Sequence, residues 1–271
     1  MKKQIQVLLG LLFCLSIQQP AQSQCVVDNT SFDAGEVIEY DLYFKYGLLD
    51  KKAGTASLRV SNANYGGTAG YKMTMISHSQ GMARKIFSLS DTLSCYTSKN
   101  LQPLAFKKLA HEDGDDTIED YTYTYQNNKV KIKTKRVKNG DEKFDETIES
   151  SNCTYDMLSV VYYARTLDYA GMKSGSKVKV YFMSGKKHMS MTIIHQGIET
   201  VKMNDGKKYQ CIKLSLQISD KAFEDGKEAM KVYLTNDNNR MPLRIDSKLK
   251  VGSVKSILKS YKGNKHPVST K

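Results

Sequence analysis

Apolar and polar residues alternate along most of the chain beyond its first 24 residues. The clearest run is residues 212–218, in which every second residue is apolar. Residues 130–135, 177–180 and 243–251 follow the same pattern, with lysine or arginine at most polar positions. A period of two gives a strand one face for the core and one face for water. Half-buried antiparallel strands have this pattern, so the sequence predicts a mainly β protein.

Turn-forming residue pairs separate these runs at short intervals. The pairs are Gly66-Gly67, Asp113-Gly114, Asn127-Asn128, Asn139-Gly140 and Asp205-Gly206. Glycine, asparagine and aspartate supply the positive φ angles that two-residue hairpin turns require. Residues 117–149 therefore predict a three-stranded meander. For the whole chain we expect about ten to fourteen strands in an antiparallel, strongly curved sheet or open barrel.

Residues 155–169 depart from this alternation. A helical period instead collects one apolar stripe that contains a single arginine: Met157, Leu158, Val161, Tyr162, Arg165 and Tyr169. Thr154 or Asp156 can cap the start of such a helix, and Gly171 can end it. The pattern predicts one core helix near residues 156–169. A shorter helix is expected at residues 82–87.

The N-terminal segment has the features of a processing signal. Lys2 and Lys3 precede an apolar run over residues 5–17, and Ala21 and Ser23 supply the small residues of a cleavage site. The run is about 13 residues long, shorter than the roughly 20 that a membrane-spanning helix needs. We therefore expect residues 1–23 to be a signal peptide of an exported, periplasmic protein that does not span the membrane. The large Gln24 before Cys25 argues against a lipid anchor on that cysteine.

The remaining residues, 24–271, predict a single β-rich domain, because no linker-like tract interrupts them. Residues 262–271 lack a pattern and are expected to fray. Four cysteines follow the signal segment, at positions that fit no zinc site: Cys25, Cys95, Cys153 and Cys211. An exported protein permits three disulfide pairings of these four, and free buried thiols are the alternative.

The charge is concentrated in the second half of the chain. Residues 24–150 carry 17 basic and 18 acidic side chains, whereas residues 151–271 carry 22 and 10. A basic surface attracts nucleic acid, anionic lipid or acidic glycan. An exported protein meets lipid and glycan, so we expect these partners and no nucleic acid.

Five short motifs, in order along the chain, resemble those of the DUF3108 family of exported bacterial proteins. They are F-x-x-G-E at residues 32–36 with Tyr40, G-x-A at residues 54–56, D-x-L-S-x-x-Y-x-x-R at residues 156–165, G-x-E-x-V at residues 197–201, and D-x-x-R-x-P at residues 237–242. The resemblance implies an envelope protein with a barrel-like β fold, similar to the capsule-associated YmcC type. It also implies structural roles for Asp237 and Arg240 in the last motif, and it implies no reaction.

Arg165 is the sharpest candidate for a functional side chain. A guanidinium on the apolar stripe of a helix is costly to bury unless it meets a carboxylate or backbone oxygens. A structural ion pair with Asp156, Glu36 or Glu199 is the favoured interpretation. The alternative is ligand binding by Arg165, with Tyr162 from the same stripe and His195 from a predicted strand as companions. His195 is otherwise a core histidine with a backbone partner.

No catalytic motif, phosphate loop, cofactor fingerprint or metal-ligand pattern occurs in the sequence. We therefore expect a protein that is not an enzyme and carries no cofactor or metal. The leading hypothesis is an exported envelope protein that binds a lipid or glycan in an apolar cleft of a curved sheet. The alternative is an envelope assembly or scaffold protein that acts through contacts with a protein partner.

Overall fold

The computed structural model describes residues 25–46, 49–86, 88–218, 229–248 and 252–270. The predicted signal peptide, residues 1–23, lies outside this part of the chain. Within it, no helix is long and apolar enough to span a membrane.

Strands dominate the structure, as the alternation predicts. The fifteen strands are β1 (Val37–Tyr46), β2 (Leu49–Tyr65), β3 (Thr68–Ser79), β4 (Leu89–Ser98), β5 (Pro103–Glu112), β6 (Asp115–Gln126), β7 (Lys129–Lys138), β8 (Asp141–Ser150), β9 (Thr154–Tyr155), β10 (Lys177–Ser184), β11 (Lys187–Lys202), β12 (Lys208–Ile218), β13 (Met230–Thr235), β14 (Pro242–Lys248) and β15 (Ser253–Lys262). Two short helices accompany them, α1 (Ala83–Ile86) and α2 (Ser159–Ala164).

All fifteen strands form one sheet that curls into a nearly closed, barrel-like shape, which confirms the predicted fold class. The order across the sheet is β8-β7-β6-β5-β4-β3-β2-β1-β15-β14-β13-β12-β11-β10-β9. Neighbours are antiparallel, except that β9 and β10 run parallel. The first and last strands pair with each other in the middle of the sheet, from Val37 opposite Lys262 to Lys45 opposite Ser253.

The predicted turns lie between the expected strands. Asn127, Asn128 and Asn139 have φ angles of 52–56°, in the left-handed region, and they separate β6, β7 and β8. This confirms the three-stranded meander. Gly54 lies within a strand and not in a turn, and glycine is required there because a Cβ would lie 2.1 Å from the backbone oxygen of His78. The G-x-A motif therefore permits a close approach of β2 and β3.

The predicted core helix is present, but α2 has only six residues. Tyr155, immediately before the predicted helix, is part of β9, opposite Phe182 of β10. Asp156 caps the helix, since its Oδ1 accepts hydrogen bonds from the backbone N–H groups of Leu158 and Ser159 at 2.8 and 2.7 Å. The last turn tightens at Arg165, whose N–H bonds to the Tyr162 carbonyl three residues earlier. The Asp156 cap at one end and the turn at Arg165 at the other thus limit the predicted helix to residues 159–164.

The hairpin between β10 and β11 contacts β6 and β7, which lie near the opposite edge of the sheet. Gly185 at its tip donates its N–H to the Tyr121 hydroxyl at 2.8 Å and accepts a hydrogen bond from Thr134. Glu119 lies beside this contact, 2 % exposed, and is hydrogen-bonded to Tyr121 and ion-paired with Arg136. A buried carboxylate that meets an arginine and a hydroxyl is satisfied in place.

Helix α2 packs between two hydrophobic clusters. The larger cluster contains Tyr162 of the helix and the preceding Leu158, together with residues of β1–β7 and β10–β15. The smaller cluster contains Val160 with residues of β10–β13. Cys95 and Cys211 are free and buried in the larger cluster, whereas Cys25 and Cys153 form a disulfide. The structure therefore combines the two expectations, with one disulfide and two free buried thiols.

Candidate functional site

Arg165 makes a fully buried ion pair with Glu36. The guanidinium donates through its two terminal nitrogens to Glu36 Oε1 and Oε2 at 2.6 and 2.7 Å, and the two side chains are 0 % and 1 % exposed. The planar guanidinium matches a carboxylate in this bidentate geometry, which lysine cannot reproduce. Burial alone would lower the pKa of Arg165, but the Glu36 carboxylate outweighs it and raises that pKa above its ordinary value.

The turn between β13 and β14 supplies the other acceptor for Arg165. Nε and one terminal nitrogen of the guanidinium donate to the Asn239 carbonyl at 3.2 and 2.9 Å. Asp237 shapes this turn, since its Oδ1 accepts from the Asn239 N–H and from the Thr235 hydroxyl. Asp237 therefore stabilises the turn whose Asn239 carbonyl accepts from Arg165.

The C-terminal tail, residues 263–270, covers this turn. The Asn239 side chain donates to the carbonyls of His266 and Pro267 and accepts from the His266 N–H. The Ser269 N–H donates to Asp237. In contrast to the expectation that it frays, the tail is hydrogen-bonded to the body of the protein over residues 264–269.

Three of the five sequence motifs therefore meet at one point. Glu36 comes from the first motif, Arg165 from the third and Asn239 from the last, although 129 residues separate Glu36 from Arg165. The Phe32 ring of the first motif also lies against the guanidinium, 4.9 Å from its carbon. Every polar atom of the Arg165 side chain is thus used within the protein, which supports the structural interpretation of this residue.

A pocket of about 310 Å³ lies beside this network. Its walls are the chain after α2, the β13–β14 turn, the C-terminal tail and the segment before β1: Thr30, Ser31, Arg165, Thr166, Leu167, Asp168, Asn238, Arg240 and His266. Most of these side chains are polar. The sequence hypothesis predicted an apolar cleft for a lipid. This pocket is mostly polar and therefore suits a small polar group.

Arg240 stands at this pocket in an unusual backbone conformation. Its φ is 48°, in the left-handed region that residues other than glycine and asparagine rarely occupy. Its guanidinium lies 5.4 Å from the centre of the Tyr169 ring. Arg240 therefore belongs to the turn that its motif implies, and its side chain lies at the pocket.

The two predicted companions of Arg165 in ligand binding lie outside the pocket. The Tyr162 ring is 5.6 Å from the guanidinium carbon of Arg165. Tyr162 is 1 % exposed in the larger hydrophobic cluster, where burial raises the pKa of its hydroxyl well above the ordinary value. His195 is 6 % exposed, with its Nδ1 3.4 Å from the Lys173 carbonyl and its ring 5.9 Å from that of Tyr169. Neither side chain lines the pocket, so the structure does not assemble the predicted trio into one site.

Two of the three suggested partners of Arg165 have other contacts. Asp156 caps α2 and is 0 % exposed, and burial raises the pKa of its carboxyl to about 6. Glu199 lies on the surface and pairs with Lys213 at 2.7 Å. Asn239 and His266 were missed by sequence reasoning, because Asn239 occupies an unspecified position of its motif and His266 lies outside every motif. The position of Asn239 within D-x-x-R-x-P was the available signal.

Comparison with solved structures supports the fold. A "Beta-barrel-like Protein of Domain of Unknown Function DUF1849 from Brucella abortus" matches with a TM-score of 0.56 and 10% sequence identity. The match covers 90% of this chain and 100% of the other. At this identity the likeness shows a shared fold alone.

Comparison with known sequences gives the family. No curated protein matches the chain. The sequence profile described as "Protein of unknown function (DUF3108)" matches residues 39–259, which confirms the resemblance seen in the motifs. The chain belongs to the DUF3108 family.

Proposed function

We propose that this protein is an exported, non-enzymatic binding protein of the bacterial envelope, and that it receives a polar part of a lipid or glycan in the pocket beside Arg240. The single observation that carries the proposal is this pocket, whose walls come from four separate parts of the chain. Its volume of about 310 Å³ is near the lower end of the range for small-molecule sites. That size suits one sugar ring or one lipid headgroup.

The filling of the sheet favours a polar ligand over an acyl chain. Tyr162, Met73, Phe106 and Ile132 are each no more than 2 % exposed within the larger cluster enclosed by the sheet. Space for an acyl chain would require these side chains to move. A glycan or headgroup at the pocket requires no such rearrangement.

The disulfide supports export. A bond between Cys25 and Cys153 forms and persists in oxidising compartments, such as the bacterial periplasm. A cysteine in a disulfide has no thiol left to carry a lipid, so the bond also supports an exported protein without an anchor at Cys25. The predicted signal peptide over residues 1–23 agrees with this compartment.

The alternative, an assembly or scaffold role, would use the outer edge of β8, where the sheet ends. Such an edge can pair with a strand from another protein. However, β8 is rich in charged residues, and Glu142, Asp145 and Glu149 are paired with lysines of β7. Charged residues on an edge protect it against pairing, so the pocket is the better supported site.

Native mass spectrometry of the protein purified from its own envelope tests the proposal. We expect a bound mass that is absent from an Asn238→Trp variant, in which an indole enters the pocket from its exposed rim. Met82→Trp is the matched control, because Met82 is 81% exposed beside α1 and distant in sequence from every pocket residue. An empty wild-type protein, or a ligand retained by Asn238→Trp, would contradict the proposal. Retention of a protein partner instead, in a pull-down from envelope extracts, would favour the scaffold role.

A further inference from the structure

We infer that the pocket recognises an anionic group, a carboxylate or a phosphate, through the guanidinium of Arg240. The inference rests on the proposed function and adds the ligand's chemistry to it. It depends on four features of the pocket: the unpaired charge of Arg240, its backbone conformation, the hydrogen-bonding groups around it and the position of Asp168.

Arg240 differs from the other arginines that are buried or partly buried in the described part of the chain. Arg165 pairs with Glu36, Arg136 with Glu119 and Arg244 with Asp246. Among the described residues, no carboxylate lies within ion-pair distance of Arg240, which is half-buried and contacts the Tyr169 ring. A guanidinium withdrawn in part from water without a counter-ion is ready to bind an anion bidentately.

The backbone holds Arg240 at a cost. A left-handed φ of 48° is unfavourable for arginine, whereas glycine adopts it freely. Asp237 accepts a hydrogen bond from the Asn239 N–H, and Thr235 accepts one from the Met241 N–H. These bonds fix the backbone on both sides of Arg240 and hold it in this conformation. An arginine at a position that favours glycine points to a use for its side chain.

His266 and Thr30 add hydrogen-bonding groups next to Arg240. His266 Nε2 lies 2.7 Å from the Thr30 carbonyl oxygen, which can only accept, so Nε2 carries a proton. The side chains of Thr30 and Asn238 are exposed at the pocket and can donate as well.

Asp168 sets a second requirement on the ligand. Its carboxylate also lines the pocket and accepts a hydrogen bond from the Gly171 N–H at 3.2 Å. It repels an anion placed next to it and accepts hydrogen bonds from hydroxyl groups. The ligand should therefore carry a negative group toward Arg240 and hydroxyl groups toward Asp168. A uronic acid of a glycan and the glycerol phosphate of a lipid headgroup both meet this description.

Binding measured by NMR titration of the isotope-labelled protein tests the inference. The probes are sodium glucuronate against glucose, and glycerol phosphate against glycerol. We expect saturable chemical-shift changes of the pocket residues with at least one anionic probe, at a probe concentration of about 10 mM or below. Its neutral analogue should bind at least about tenfold more weakly. Preference for glucuronate would identify a glycan source, and preference for glycerol phosphate a lipid headgroup.

Two variants separate recognition from folding. Arg240→Gly removes the guanidinium but suits the φ of 48°, so the variant should fold with a melting temperature within about 2 °C of wild type. It should bind the anionic probe about tenfold to a hundredfold more weakly, the range expected for hydrogen bonds to a charged group. Arg84→Gln, at an exposed position in α1, removes the same charge elsewhere and should bind as wild type does.

Three results would overturn the inference. Glucose or glycerol could bind as tightly as its anionic counterpart, Arg240→Gly could bind unchanged, or Arg84→Gln could lose as much affinity as Arg240→Gly. Absence of any anionic binding, together with a pocket-dependent adduct in native mass spectrometry, would reject the anion and leave the binding function standing. Absence of both would reject the two proposals together.

Discussion

Substitution of Glu36 by glutamine tests whether the buried ion pair locks the fold. Glutamine keeps the shape of the side chain and removes its charge, so the Arg165 guanidinium, 0 % exposed, is left without a counter-ion. Loss of one partner of a buried pair costs about 3–5 kcal/mol. For a domain of this size each kcal/mol lowers the melting temperature by roughly 2–4 °C, so we expect a fall of roughly 6–20 °C.

Urea denaturation measures this loss, with tyrosine fluorescence and circular dichroism as the probes of unfolding. The dependence of the unfolding free energy on urea concentration is compared between the variants. Glu199→Gln is the matched control. Its pair with Lys213 has a separation of 2.7 Å, but the Glu199 side chain is 46% exposed, and exposed pairs contribute about 1 kcal/mol or less. Equal and small effects of the two substitutions would refute the reasoning that burial makes the Glu36 pair structural.

A double variant distinguishes an unpaired charge from a lost contact. Glu36→Leu combined with Arg165→Met removes both charges and fills the same space with apolar atoms. Because the cost of the single variant is that of an uncompensated charge, the double variant should unfold with a higher free energy than Glu36→Gln. A double variant less stable than Glu36→Gln would show that the hydrogen bonds from Arg165 to Asn239 matter more than the charge pair.

Three further predictions concern other parts of the structure. Burial raises the pKa of Asp156 to about 6, above the ordinary value of 3.8, so this group stabilises the folded protein most at low pH. As the pH rises from 4 to 6, the wild type should lose about 2 kcal/mol relative to Asp156→Asn, measured by urea denaturation at each pH; an unchanged difference between the two proteins over this range would contradict it. Reduction of the Cys25–Cys153 disulfide, which spans 128 residues, should lower the free energy of unfolding by about 3–5 kcal/mol. The control is a variant that lacks both cysteines, and an equal effect of reductant on that variant would assign the loss to another cause. Glu119→Gln should speed hydrogen exchange at Gly185, because the β10–β11 hairpin tip loses its anchor, and exchange as slow as in the wild type would show that Tyr121 and Thr134 suffice.

The fold could be predicted from sequence because its signals are local. The alternation in residues 212–218 and the left-handed asparagines at 127, 128 and 139 each report on a few neighbouring residues, and they gave the strands and turns. The ends of α2 were harder, since Tyr155 pairs with Phe182, a residue far along the chain. Propensity alone cannot show such a tertiary contact.

The candidate site was predicted only in part, for the same physical reason. Burial of Arg165 on an apolar stripe required an acceptor, and Glu36 was among the three carboxylates proposed. The choice among them depends on the three-dimensional path of the chain. Arg240 was expected to be structural, and its place at a pocket follows from walls that lie far apart in sequence, Thr30 and His266 among them.

The pairing of β1 with β15 has a consequence for the order of events in folding. It joins strands from opposite ends of the chain, while every other pairing in the described sheet joins consecutive strands. Strands β1–β8 and strands β9–β15 can therefore each form from local contacts. The β1–β15 pairing, the long-range seam of the sheet, can form only after the C-terminal strand has been synthesised. If the two ends were linked and new termini opened near Asn152, the same strands would follow one another without interruption. Such a circular permutant should reach the same fold without the long-range seam, and faster folding of the permutant would identify that seam as the slow step.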